Sequence, residues 1–123
     1  MAMRIEMKTL SRLTQYVDLI KKLADADHYR RIEGKGNPEM FDDFLKNVDY
    51  SLGKKYAKVF IMDRDGSSKS VHSFVDIENG DIVKGSWKAP IRDKNGKLAV
   101  RGNIWADDLG ESNITQYGPK YLR

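Results

Sequence analysis

Residues 56–87 read YAKVFIMDRDGSSKSVHSFVDIENGDIVKGSW, and this stretch decides the fold. Its first eight residues, 56–63, have strand-forming composition and stop at the turn cluster Arg64-Asp65-Gly66-Ser67-Ser68. Residues 69–77 alternate, with Val71, Ser73, Val75 and Ile77 on one side and His72, Phe74 and Asp76 on the other. Asn79-Gly80 is a hairpin signal. A plain two-residue turn there would set Glu78 against Asp81, two like charges, so a turn with a glycine bulge is expected. Residues 81–87 complete a third strand, in which Gly85 marks a bulge or a close approach.

Toward the N-terminus the period changes from 2 to 3.6. Leu10, Leu13, Val17, Ile20 and Leu23 or Ala24 form one apolar stripe, which predicts a helix over residues 9–26 capped by Thr9 or Ser11. Arg12, Gln15, Asp18 and Lys22 take its solvated face. Residues 30–36 (RRIEGKG) read as a linker. Asn37-Pro38-Glu39 then reads as a helix start, and Phe41, Phe44, Leu45, Val48 and Leu52 follow at helical spacing. Gly53 suits a left-handed C-cap, with Lys54 and Lys55 at the negative end of the helix.

Toward the C-terminus the signals thin. Asp93-Lys94-Asn95-Gly96 resembles another hairpin tip, and residues 97–105 hold a fourth strand at most. The expected fold is therefore α+β: two N-terminal helices packed on a three- to four-stranded antiparallel β-meander, with an irregular C-terminal tail. A single domain over residues 1–123 is expected, split into a helical part (1–53), a meander (54–105) and a tail (106–123) that contains one short turn or strand at most.

Composition narrows the function classes. The chain is 40% hydrophobic and 33% charged, and no apolar run approaches the ~18 residues of a membrane span. Arg4, Glu6, Lys8 and Arg12 interrupt any signal-peptide core. There are no cysteines, which favours a reducing cytoplasm and removes thiol nucleophiles and thiolate metal sites. His28 and His72 are the two histidines, too few for a multi-histidine metal centre.

The stretch SVHSFVDIENGDIVKGSWKAP followed by RGNIW resembles a family of small, functionally uncharacterised proteins of tailed bacteriophages. The matching residues are Ser70, Val71, Phe74, Val75, Asp76, Gly80, Lys84, Trp87, Lys88, Pro90, Arg101, Gly102 and Asn103, with Tyr121-Leu122-Arg123 at the end. The resemblance covers somewhat over half the chain and none of residues 1–55. It implies a phage or prophage origin and a host-cytoplasm setting, and so raises two expectations: nucleic-acid handling and interference with a host protein.

Catalytic and metal signals are poor. Asp63, Asp65 and Ser67 space oxygens like the opening of a calcium loop, but Ser68 and Phe74 stand where such a loop needs glycine and glutamate. Asp107, Asp108 and Glu111 read as a solvated acidic loop or as partners of the basic segment before them. Ser73, His72 and Asp76 suggest a triad, yet strand neighbours alternate faces and Asp76 lies about 13 Å along the strand from His72. His72 therefore reads as a surface strand residue. Gly34-Lys35-Gly36 lacks the P-loop pattern and reads as a linker. No enzyme activity, no cofactor and no metal are expected.

Charge carries the remaining signal. The chain has a net +4, while Lys84, Lys88, Arg92, Lys94, Lys97 and Arg101 oppose only Asp93 between residues 84 and 105. Trp87 and Trp105 interleave with these cations, and Tyr56 and Lys58 precede them. Either tryptophan taken alone reads as core. Together the segment predicts nucleic-acid binding, single strands favoured, through Lys84, Trp87, Lys88, Arg92, Lys94, Lys97 and Arg101. The alternative is a non-catalytic protein that binds and modulates a host or phage protein, such as a defence or transcription component. No membrane partner is expected, and a homo-oligomer built by pairing a sheet edge is compatible with either reading.

Overall fold

A computed structural model of the chain describes residues 6–36, 46–63, 66 and 68–120. It shows one helix, α1 (Met7–Ile32), then strands β1 (Lys46–Leu52), β2 (Tyr56–Asp63), β3 (Lys69–Asp76), β4 (Asp81–Val83) and β5 (Val100–Asn103). A 3-10 turn (Glu111–Asn113) leads into the small hairpin β6 (Ile114–Thr115) and β7 (Gly118–Pro119). The five strands form one antiparallel sheet in the order β1-β2-β3-β4-β5, and β6 and β7 pair separately. None of the helices among the described residues is long and apolar enough to cross a membrane.

The expectation of two helices on a three- to four-stranded meander is corrected. Residues 46–52, assigned above to a second helix, are an edge strand paired with β2 from Lys46↔Asp63 to Leu52↔Ala57. The same side chains satisfy both periods: Val48 and Leu52 are one helical turn apart, yet Val48 and Tyr50 also alternate with Asn47, Asp49 and Ser51. Pairing decides between them. β2 is a strand with two edges, β3 takes one, and β1 satisfies the backbone groups of the other while its Val48 and Tyr50 pack against the core. Gly53, Lys54 and Lys55 therefore form a hairpin turn closed by Gly53 N–H donating to the Tyr56 carbonyl (2.9 Å), not a helix end. Residues 37–45, with the predicted helix start, lie outside the described residues.

The apolar stripe of α1 behaves as its spacing predicts. Leu13, Tyr16, Val17, Ile20 and Ala24 are buried against Ala57, Val59, Val75, Ile82, Ile104 and Ile114. The helix extends past the predicted linker start to Ile32 because Asp27 pairs with Arg30 and Arg31 across one turn, and those cations suit the C-terminal dipole. The tail is not irregular: Ile114 on β6 completes the core.

Arg12, assigned above to the solvated face, is a staple. Its Nε and Nη2 donate to the carbonyls of Ile104 and Ala106 (2.6 Å each), and its guanidinium lies 5.9 Å from the Trp105 ring centre. Arg12→Ala leaves these carbonyls without their donor and is expected to cost about 2 kcal/mol in urea unfolding, with Arg12→Lys recovering part. An unchanged midpoint for Arg12→Ala would show that the staple carries no energy.

Two glycines, Gly80 and Gly85, fix the route of the chain beyond β3. Asp76 Oδ1 accepts the backbone N–H groups of Glu78 and Asn79, and Gly80 sits at φ 82°, so the glycine-bearing turn keeps Glu78 away from Asp81. Gly85 is a close approach: a methyl group there would overlap the Phe74 ring. The chain beyond it, the arm of residues 84–99, passes over that ring and returns through bridges at Gly85↔Pro90 and Arg92↔Leu98.

Candidate nucleic-acid interface

Alternation along β2 divides the sheet. Ala57 and Val59 face α1, so Tyr56, Lys58 and Phe60 face the opposite side, which α1 does not cover. Phe74 lies beside Lys58 in register, and Val83 beside Phe74. The arm brings Trp87 onto this face, with its ring edge-to-face with Phe60 at 6.1 Å between centres. Tyr56 and Phe74 make a second edge-to-face pair at 6.3 Å.

Cations sit between these rings. Lys58 Nζ is 4.3 Å from the Trp87 ring centre and 6.0 Å from that of Phe74. Lys55 lies over Tyr56 (5.6 Å) and Lys69 over Phe60 (5.6 Å). Each such contact is worth roughly 0.5–1 kcal/mol at an exposed site, enough to bias where an ammonium sits but not to bury it. One carboxylate on this side of β1, Asp49, is turned onto its neighbour's backbone, accepting the Tyr50 N–H (2.8 Å). The face thus alternates aromatic and cationic groups drawn from β2, β3, the β1–β2 turn and the arm.

The seven residues singled out from the sequence are not gathered into one surface. Trp87 and Lys88 lie where the arm crosses this face. Arg92 donates to the Gly96 carbonyl (2.8 Å), and Lys94 and Lys97 flank the exposed hairpin tip that Asp93 organises by accepting from the Asn95 and Lys97 N–H groups. Lys84 instead walls a hollow of about 670 Å³ with His72, Tyr117 and Lys120, and Arg101, an extra residue in the β4–β5 register, donates to the Lys120 carbonyl (3.1 Å). Lys54, Lys55 and Lys69 were missed, because the sequence window counted only neighbouring cations and read the first two as helix-terminal charges. The reading of each tryptophan as core is corrected: Trp87 is 45% exposed and Trp105 42%.

His72 is not a surface residue. It is the extra residue where the β2–β3 register passes from Val59↔Ser73 to Phe60↔Val71. That bulge brings side chains that regular alternation would separate into contact, with His72 Nδ1 2.8 Å from Ser73 Oγ. Nε2 lies 2.8 Å from the Thr115 carbonyl, to which it must donate, so in the neutral ring Nδ1 accepts the Ser73 hydroxyl and Ser73 in turn accepts that of Tyr16 (2.8 Å). Burial pushes the His72 imidazole down to about 4, only partly offset by its bond to Thr115. Burial likewise raises the Tyr16 phenol well above its usual range. Ser73 is completely buried and Asp76 is committed to its turn, so these residues join β3, α1 and the tail hairpin and form no triad.

Three of the acidic side chains have local partners. Asp63 pairs with Lys46, and Asp108 accepts from the N–H groups of Ser112 and Gly110, which together hold its carboxyl below the usual range. Asp27 is likewise lowered, first by the Gln116 side chain and then by Arg30 and Arg31. Residues 64, 65 and 67 of the candidate calcium loop lie outside the described residues.

Among known proteins, a family of unknown function (DUF7717) matches residues 2–117, and the chain belongs to that family. No curated protein and no solved structure matches it.

Proposed function

We propose that this member of the DUF7717 family binds nucleic acid, single strands in preference to duplex, on the sheet face opposite α1. The observation that carries the reading is Trp87, an indole 45% exposed, held edge-on to Phe60 and 4.3 Å from an ammonium group. An exposed ring costs solvation free energy on its own, and bases splayed from a single strand would stack on it while Lys55, Lys58, Lys69 and Lys88 neutralise phosphates. Lys94 and Lys97 extend this cationic track along the arm, with Arg92 at its base. Lys84 and Arg101 lie beside the tail hairpin and are assigned long-range attraction only. A duplex hides its bases, so the rings favour single strands. The role is binding without catalysis or cofactor, in the cytoplasm of a phage-infected or lysogenic cell, the setting implied by the resemblance of residues 70–103.

Exposed apolar side chains favour one second reading. Leu52 and Ile91 are 48% and 45% exposed, and with Trp87 they would suit a hot spot for a host protein. Fluorescence anisotropy separates the two. Single-stranded oligonucleotides are expected to bind with micromolar or tighter Kd and about tenfold tighter than duplex. Equal affinity for both forms would count against stacking on Trp87.

A further inference from the structure

The same face contains a hollow of about 320 Å³ between the β1–β2 turn and the arm, walled by Lys54, Lys55, Tyr56, Lys58, Phe74 and Lys88. Four lysines line a space the size of a small ligand, and no carboxylate lines it. Such a concentration of like charge is unfavourable unless counter-charge enters it. A phosphodiester inside a strand brings one negative charge. A phosphomonoester brings between one and a half and two, with three acceptor oxygens.

The aromatic walls add a second requirement. Phe74 is buried and backs Tyr56 edge-to-face, so the half-buried Tyr56 is the ring that a planar group beside the anion would meet. The Tyr56 hydroxyl is buried and has no hydrogen-bond partner among the described residues. A buried hydroxyl without a partner is unfavourable, and it would gain one if a ligand's acceptor oxygen displaced the groups that cover it. The nearest carboxylate in register, Asp76, is already occupied by its own turn.

We propose that this hollow recognises a nucleotide phosphomonoester, the phosphorylated end of a bound strand. The inference rests on the nucleic-acid reading and sharpens it from binding along a strand to recognition of its terminus. The strand body crosses Trp87 and Phe60, while its end nucleotide places a base against Tyr56 and its phosphate among the lysines. A free nucleoside monophosphate offers the same chemistry from another source and competes for the hollow.

The test compares one single-stranded sequence carrying a 5′-phosphate, a 3′-phosphate or hydroxyls at both ends, with the full chain at low salt. One phosphorylated form is expected to bind at least tenfold tighter than the hydroxyl form. That ratio should fall toward one in Lys54→Gln/Lys55→Gln, and nucleoside monophosphate should compete with the phosphorylated form at lower concentration than inorganic phosphate. If all three strands bind equally well, end recognition is overturned while strand binding stands. If the ratio survives in the double variant, the hollow is not where the phosphate sits and the inference is also overturned. If no strand binds, titration with nucleoside monophosphate decides: saturable binding weakened by the double variant keeps the hollow as a nucleotide site, and none removes it.

Discussion

Lowering the pH from 6.5 to 4 is expected to cost the fold about 3 kcal/mol through His72 alone. The imidazole titrates near 6.5 in the unfolded chain and near 4 in the folded one. Above 6.5 it is neutral in both states and contributes no pH dependence. Between 6.5 and 4 the unfolded chain takes up the proton and the folded chain does not, so stability falls as pH falls, by up to ~1.4 kcal/mol per pH unit. Below 4 both states are protonated and this loss is complete. The lowered carboxyls of Asp27 and Asp108 act in the same direction but at lower pH, where the unfolded acids begin to protonate. Urea unfolding measured at half-unit intervals separates the windows. His72→Gln should be less stable at neutral pH, because Ser73 and Thr115 lose their partner, yet flat between 6.5 and about 5, where the carboxylates have not begun to protonate. A slope that persists in this variant would assign the acid sensitivity to the carboxylates.

Lys58→Glu/Lys88→Glu is expected to weaken single-strand binding by ~100-fold or more at low salt, since it removes two phosphate partners and replaces them with repulsive charges. Lys58 touches both Trp87 and Phe74, so the variant also loses two cation–π contacts, together on the order of 1 kcal/mol of stability. The fold should tolerate that loss, and circular dichroism would check it. Lys94→Glu/Lys97→Glu changes the same charge at the arm's tip and should cost less, because no aromatic platform lies among its described contacts. A larger loss from the tip variant would move the interface from the sheet face to the arm.

How much of this was legible depended on the range of the interaction. The stripe Leu13, Val17, Ile20 reports a local periodicity, and it placed α1 correctly apart from its ends. The bounds 56–63 matched β2 because a turn cluster and a lysine pair flank it. β1 was lost because KNVDYSL fits either period, and only pairing with a strand beyond Gly53 chooses between them. The bulge at His72 left no mark in the sequence, so alternation misplaced a side chain that is 3% exposed. The proposed interface was half legible for a related reason. Trp87 and Lys88 stood out in a contiguous basic window, whereas Lys55 and Lys69 come from separate turns and reach the face only through the sheet register. Tyr56 and Lys58, noted beside that window, were the signal that the face extends onto β2.

The salt dependence of wild-type binding to a single strand, measured by anisotropy from ~50 to ~200 mM monovalent salt, bears most directly on the claim that this face binds nucleic acid. With four to six lysines on phosphates, log Kd against log salt should have a slope of about 3 to 4, a loss of roughly a hundredfold across that range. No binding at ~50 mM salt, or binding that ignores salt, would contradict the account and leave the exposed Trp87, Leu52 and Ile91 to a protein partner.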